Sequence, residues 1–424
     1  MTRAVVMPGP VAGRVHAPPS KSYTHRALVV AHLARRQFVV ERPLRSDDTL
    51  RTVAAVRALG SRVEMRPSRW TVRRSVSPGS PRGRIDCGES GTTLRFAAAL
   101  AALRPWSTRL VGRGRLPQRP MSPLVHALRT LGATVELPDG PRSLPMRVRG
   151  PLRGGPVTVD ASESSQFVSA LLLALPTADG NSIVRLRSAP VSGPYIQATV
   201  AILRACGIRL TEAPRQYRMA GRQRYRGDRF RVPPDASSAA YLWAAAAVAG
   251  GSVTVAGLPD PWPQADLAIL DLLVRYGAIV ERRHGGTTVR GGERRAFSVR
   301  LDDAPDLYPL AGVLAATARG TSRLRGAAHV AGKESDRRAT TIALTRSFGA
   351  TVRARSGVVT VSGARAPRAV HLTGITDHRV AMSAAVGALT ASGPSSIEDA
   401  SVVRKSYPEF WSTLARLSRG GRSA

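Results

Sequence analysis

Only three lysines occur in this chain, Lys21, Lys333 and Lys405, against 60 arginines. On a solvated surface an arginine replaces a lysine almost freely. It does not where a compact ammonium must fit, or where the amine must exchange a proton. The three surviving lysines therefore mark candidate sites, and each stands in a polar cluster: Pro19-Ser20-Lys21-Ser22, Lys333-Glu334-Ser335-Asp336-Arg337 and Arg404-Lys405-Ser406-Tyr407. Short runs of small polar residues that lead into alanine and leucine recur elsewhere, at Ser90-Gly91-Thr92, Ser164-Ser165-Gln166, Asp306-Leu307-Tyr308 and Asp377-His378-Arg379. Such runs start helices. A helix start with free N–H groups and a neighbouring cation is a seat for phosphate or carboxylate.

The elements that position these groups repeat. VRALGSRVE, LRTLGATVE, LRACGIRLT, LVRYGAIVE and TRSFGATVR place glycines at 60, 132, 207, 277 and 349, and a frayed copy places Gly420. The steps are 72, 75, 70, 72 and 71 residues. Each copy reads as the end of an amphipathic helix, a capping glycine and a short strand. The polar helix starts at Ser20, Ser90, Ser164, Asp235, Asp306 and Asp377 step by 70, 74, 71, 71 and 71. Six repeats of about 71 residues, with valine-rich strands such as PVTVDAS and GSVTVAGL between helices, predict an α/β protein of two lobes. Pro-rich hinges near 17–19 and 232–234 would separate a first lobe, 19–233, from a second made of 1–18 and 234–424. If related helices point alike, their N-termini would gather at one anion-binding cleft.

Composition narrows the class. Of 424 residues, 63 are Lys or Arg and 28 Asp or Glu, a net charge of +35. The arginines are spread along the chain, aromatics make up 5 %, and no zinc-finger, helix-turn-helix or RNP pattern appears. Specific nucleic-acid recognition is not expected, while attraction of a small anionic substrate and weak non-specific binding of polyanions both stay open. No apolar run reaches the roughly 18 residues of a membrane span, and no signal h-region opens the chain. Ala239–Gly250 reads as a buried helix. Cys87 and Cys206 make neither a disulfide framework nor a metal site. A cytoplasmic, monomeric protein is the expectation.

Seven motifs in order, Pro-Ser-Lys-Ser-x-x-x-Arg (19–26), Gly-x-x-Gly-Thr-x-x-Arg (88–95), Ser-Ser-Gln-Phe (164–167), Asp-Ala-Ser-Ser-Ala (235–239), Lys-Glu-Ser-Asp-Arg (333–337), Asp-His-Arg-Val-Ala-Met (377–382) and Lys-Ser-Tyr-Pro (405–408), resemble the 5-enolpyruvylshikimate-3-phosphate synthase family. The resemblance covers nearly the whole chain. It implies the enolpyruvyl transferase fold, with three βαβαββ-type units in each lobe. It also implies transfer of enolpyruvate from phosphoenolpyruvate to the 5-hydroxyl of shikimate 3-phosphate, through a tetrahedral ketal phosphate and with neither metal nor cofactor. By the same resemblance Lys21, Ser22, Arg26, Ser164, Ser165, Gln166, Ser192, Tyr195, Asp306, His329 and Lys333 would hold shikimate 3-phosphate. Lys21, Gly91, Arg119, Gln166, Arg337, Arg379 and Lys405 would hold phosphoenolpyruvate. Asp306 would take the 5-hydroxyl proton, Glu334 would protonate the methylene carbon, and Lys21 is a second proton-transfer candidate.

Each assignment has a plainer counterpart: Asp306 as a helix cap, Glu334 as a solvated partner of Lys333, Arg337 and Arg379 as partners of Asp336 and Asp377, and Asp235-Ala236-Ser237 as cap and packing. His378 reads as a packed spacer. Departures from the family pattern are Glu89, His25 and Ala331-Gly332. A sister transferase acting on a UDP-amino sugar would carry a cysteine in the loop 111–120, which has none. A diverged transferase of a secondary pathway is the other alternative, and a non-catalytic polyanion binder the third.

Overall fold

The structure, a computed structural model, describes residues 2–74 and 83–422. Its contacts divide the chain into two compact units, Pro19–Pro233 and Met1–Pro18 with Pro234–Ala424. The chain passes between them twice, and each unit pins its own ends. Within the first, Ser20 N donates to Pro233 O at 2.8 Å; within the second, Asp235 N donates to Pro18 O at 2.8 Å.

The building pattern is plain in the segment that starts at the strand Arg84–Asp86. It continues through the helix Gly91–Ala102, strand Thr108–Val111, helix Ser122–Thr130 and strands Thr134–Glu136 and Met146–Arg149. Arg84–Asp86 runs parallel to Thr108–Val111; the last two strands add antiparallel, in the order first, second, fourth, third. The helix Gly91–Ala102 crosses over between the parallel strands, and a loop joins the antiparallel pair. The sheets that begin with Gly155–Val159 and Ser298–Arg300 repeat this order. Two more draw their first strand from far along the chain: Arg229–Arg231 pairs with Phe38–Glu41, and Val11–His16 with Gly251–Ala256, both parallel. Among the described residues the remaining sheet has three strands, His371–Leu372, Ser395–Glu398 and Arg3–Val6.

Gly60, Gly132, Gly207, Gly277 and Gly349 have φ of 98°, 92°, 76°, 100° and 90°. This is the left-handed geometry that ends a helix and that a side chain resists. Gly420 behaves differently. It lies inside the helix Phe410–Arg422, where a Cβ would stand 2.5 Å from Ala12 O. Its glycine serves a close approach to the strand Val11–His16, so the sixth copy read from the sequence is not a cap.

In each unit the helices that open with the polar runs are the buried ones. Lys21–Leu33, Gly91–Ala102 and Ser165–Ala174 in the first, and Ala236–Ala249, Tyr308–Thr317 and His378–Ala388 in the second, bury nearly every residue beyond the first turn. In the second unit these three helices contact one another and form the middle of the core, with Trp243, Leu310, Leu314 and Met382 buried. An apolar helix buried on all sides can expose polar chemistry only at its ends. The fold therefore concentrates chemistry at these helix starts. No helix among the described residues is long and apolar enough to cross a membrane.

Candidate active site

In the first unit, Ser20, Ser90 and Ser164 cap the three buried helices by accepting from Tyr23 N, Thr93 N and Gln166 N. Lys21 opens the first helix and donates from Nζ to Asp48 Oδ2 at 3.2 Å. The Asp48 carboxylate offsets the ammonium and limits where it can point. Arg26, one turn on and 2 % exposed, does not stand open as an anion ligand. It donates to Thr199 Oγ1 at 2.8 Å, Ser22 O at 2.9 Å and Tyr195 O at 2.8 Å. It joins two helix starts, and with them Ser22 and Tyr195. Burial pulls its pKa down to about 10, which still leaves it charged.

Gln166 is held from both ends. Its Oε1 accepts from Arg95 Nη1 at 2.9 Å and its Nε2 donates to Thr92 Oγ1 at 3.1 Å. Arg95, the last residue of the Gly-x-x-Gly-Thr-x-x-Arg motif and without an assigned role in the sequence, also donates to Pro120 O at 2.8 Å, and its guanidinium lies 5.3 Å from the centroid of the Phe167 ring. Gly91 makes room for arginine: a Cβ there would stand 2.6 Å from Arg95 Nη1 and 2.7 Å from Arg119 Cζ. Ser165 is buried beside Gln166. Ser192 begins the helix Gly193–Ala205 with φ 56°, a left-handed strain of about 1–3 kcal/mol for a residue with a Cβ.

Glu89 faces Arg113, Nε to Oε1 3.9 Å, so its charge has a cation to meet. His25 is fully buried, its Nδ1 2.7 Å from Thr52 Oγ1. Burial, then Lys21 and Arg26, push its pKa well below 6.5 and keep it neutral.

The second unit gathers the carboxylates. Asp306 lies in the short 3-10 helix Pro305–Leu307, and the helix after it has no side-chain cap. The other five helix starts of the set are capped by their polar residue; Asp306 does not cap. Its Oδ1 accepts from Arg337 Nη1 and its Oδ2 from Arg379 Nη2, both at 2.6 Å. Arg337 also donates from Nη2 to Glu334 Oε2 at 2.8 Å and from Nε to Asp377 Oδ2 at 2.8 Å. Burial works against the Arg337 charge, yet Asp377, Glu334 and Asp306 together hold its pKa well above the ordinary value.

Asp377 caps the helix that carries Arg379, accepting from Arg379 N at 2.9 Å, and also takes Ser335 Oγ at 3.0 Å. Asp336 caps its own helix through Ala339 N at 3.0 Å. Arg337 thus pairs with Asp377 and not with Asp336. Lys405 Nζ donates to Thr376 O at 3.0 Å, one residue before that cap. Lys333 and Glu334 follow the 3-10 helix Ala328–Gly332, which also carries His329. Burial and then Lys333 lower His329 to about 4, so it is neutral at pH 7. His378 is 1 % exposed and packed.

One guanidinium fixed by a buried cap residue and a second on the helix which that residue caps, with two partly exposed carboxylates on them, can seat a planar carboxylate and move protons beside it. The sequence model of the EPSP synthase family (3-phosphoshikimate 1-carboxyvinyltransferase) matches residues 5–414. The chain belongs to the EPSP synthase family. Proteins named 3-phosphoshikimate 1-carboxyvinyltransferase are similar along their whole length. That of Thermococcus kodakarensis is 42 % identical, covering 96 % of this chain and 98 % of its own. That of Halobacterium salinarum is 40 % identical and covers 98 % of both, and that of Methanocorpusculum labreanum is 37 % identical and covers 98 % of both. A solved EPSP synthase from Acinetobacter baumannii shares the fold, with a TM-score of 0.80 at 24 % identity over 99 % of this chain and 98 % of that one. EPSP synthase membership matches the seven motifs, and the loop 111–120 that would carry a cysteine in the sister enzyme has none. Both cysteines are buried, and burial raises their thiols, that of Cys206 to about 12. Neither is a ready nucleophile.

Proposed function

We propose that this chain transfers the enolpyruvyl group of phosphoenolpyruvate to the 5-hydroxyl of shikimate 3-phosphate and releases phosphate. The observation that carries the residue roles is the Asp306–Arg337–Glu334 cluster joined by Arg379. It places two carboxylates on the cations suited to hold the carboxylate of phosphoenolpyruvate. The 5-hydroxyl oxygen attacks C2 while its proton passes to Asp306. C3 takes a proton from Glu334, which completes a ketal phosphate. The C–O bond to phosphate then breaks, and C3 returns a proton to restore the double bond. Both proton steps are general acid–base catalysis at fixed carboxyls, and the arginines offset the charge that develops.

Shikimate 3-phosphate is held, on this reading, by the first unit: Ser22, Ser164, Ser165, Gln166, Ser192 and Tyr195, with Arg26 bonded to the backbone carbonyls of Ser22 and Tyr195. Lys21, Arg119 and the Gly91 helix start take part in holding phosphoenolpyruvate, with Arg337, Arg379 and Lys405 from the second unit. Lys333 and His329 supply further contacts to the ring substrate. A monomeric, cytoplasmic enzyme is part of the same proposal.

The test is phosphate release from phosphoenolpyruvate with three acceptors. Shikimate 3-phosphate should support turnover. Unphosphorylated shikimate and the UDP-amino sugar should not. Turnover with the UDP-sugar in place of shikimate 3-phosphate would overturn the assignment.

A further inference from the structure

Asp306 occupies the two arginines in the manner expected of a substrate carboxylate: one oxygen on each guanidinium, both at 2.6 Å. Glu334 takes a third donor from the same Arg337. The residues assigned to move protons are thus paired with the cations assigned to bind phosphoenolpyruvate. A carboxylate held between two guanidinia is a poor base, because both cations stabilise its ionised form. The two functions cannot use the same N–H groups at once.

Resting on the reading given above, we propose that Asp306 is a built-in competitor for the phosphoenolpyruvate carboxylate, and that the incoming carboxylate switches the base on by displacing it. The incoming carboxylate takes Nη1 of Arg337 and Nη2 of Arg379. Asp306 loses both cations, its affinity for a proton rises, and it becomes a competent acceptor only when phosphoenolpyruvate is in place. Arg337 need not leave its seat. Its Nε stays on Asp377, which is 1 % exposed and also fixes Ser335 and the start of the Arg379 helix. Asp306 is the exchangeable partner, with a side chain 21 % exposed. The arrangement protects the ring substrate's hydroxyl from a base with nothing to attack. It also makes phosphoenolpyruvate binding weaker than the two arginines alone would give, since a ligand that displaces an internal partner loses that partner's contribution.

The experiment uses L-phospholactate, which keeps the carboxylate and phosphate of phosphoenolpyruvate but lacks the reactive double bond. Ethyl phosphate, which lacks the carboxylate, is the comparison. Each is titrated calorimetrically into the full-length protein saturated with shikimate 3-phosphate. Asp306→Asn should bind phospholactate about tenfold more tightly than wild type, the scale of one lost charge-assisted competitor. Glu334→Gln should bind it more tightly by a smaller factor, because only Arg337 is relieved. Ethyl phosphate affinity should be unchanged in both. Asp271→Asn, on an exposed surface pair with Arg282, should alter neither ligand. Unchanged or weaker phospholactate binding in Asp306→Asn, in a variant that still binds shikimate 3-phosphate, would overturn the proposal. So would an equal gain for ethyl phosphate, which would show a general charge effect. If wild type neither bound shikimate 3-phosphate nor turned over, the functional reading itself would fail, and that outcome is distinct from both.

Discussion

Arg95 donates from Nη1 to Gln166 Oε1 at 2.9 Å and so decides which way the Gln166 amide faces. Thr92 Oγ1 accepts from Nε2 and could serve either amide end, but Arg95 can only donate, so a flip would lose its bond and set Nε2 against the guanidinium. Arg95 is buried at 2 % and touches the Phe167 ring and Pro120 O as well. On the proposed reading, in which Gln166 meets the substrates, Arg95 is a positioning residue that acts through it.

Arg95→Lys keeps the charge but cannot make both directed contacts. We expect apparent KM to rise about tenfold, the effect of roughly 1.4 kcal/mol from a charge-assisted bond, with a smaller fall in kcat. Steady-state kinetics with each substrate varied in turn checks this. A fall in kcat at unchanged KM would instead place Arg95 in the chemical step.

The lysines give a second prediction. Lys21 Nζ sits 3.2 Å from Asp48 Oδ2, and Lys405 Nζ 3.0 Å from Thr376 O. Lys21→Arg, Lys333→Arg and Lys405→Arg retain charge, yet each should cut kcat/KM by an order of magnitude or more, since a planar guanidinium neither fits the ammonium's seat nor exchanges protons near neutrality. Near wild-type turnover in all three would contradict the inference drawn from their rarity.

A third prediction concerns acid stability. His32 is buried, with Nδ1 2.8 Å from Ser61 Oγ and Nε2 3.4 Å from Arg104 Nη2. Arg104 can only donate, so Nε2 accepts and Nδ1 carries the hydrogen. Burial, then Arg104 and Arg74, lower His32 to about 3. A depressed pKa favours folding above the unfolded value near 6.5, and that contribution is lost progressively as pH falls from 6.5 toward 3. Thermal melts of wild type and His32→Gln between pH 8 and 4 should differ most at high pH and converge on acidification. A constant difference across that range would show that His32 does not titrate as its burial demands.

Much of the fold was legible because the repeat is written twice, once in capping glycines and once in polar helix starts. The polar helix starts recur at nearly fixed spacing because each buried helix can carry polar groups only at its end. What stayed hidden depends on contacts far apart in sequence. Nothing local tells that Val11–His16 pairs with Gly251–Ala256, or that Arg229–Arg231 pairs with Phe38–Glu41. Ser192, Ala327 and Asp399, at φ of 56°, 57° and 55°, take left-handed backbone without a glycine to announce it. At the site, residue types pointed to Arg337 and Asp377, but the adjacent letters suggested Arg337–Asp336. The observed pair spans 40 positions. Arg26 was readable as a cation, while its burial among Thr199, Ser22 and Tyr195 required the fold.

On the proposed mechanism Glu334 and Asp306 move protons on substrates already bound, and isotope transfer with Glu334→Gln reads that role out. In deuterated water with saturating substrates, wild type should place deuterium in the methylene of the enolpyruvyl product, since C3 gains a proton and then gives one back. Glu334→Gln should bind shikimate 3-phosphate within a few-fold of wild type, while turnover and deuterium incorporation fall together by roughly 10²–10⁴. Loss of shikimate 3-phosphate binding with turnover and labelling preserved at saturation would overturn the proton-delivery role and make Glu334 a residue of binding alone.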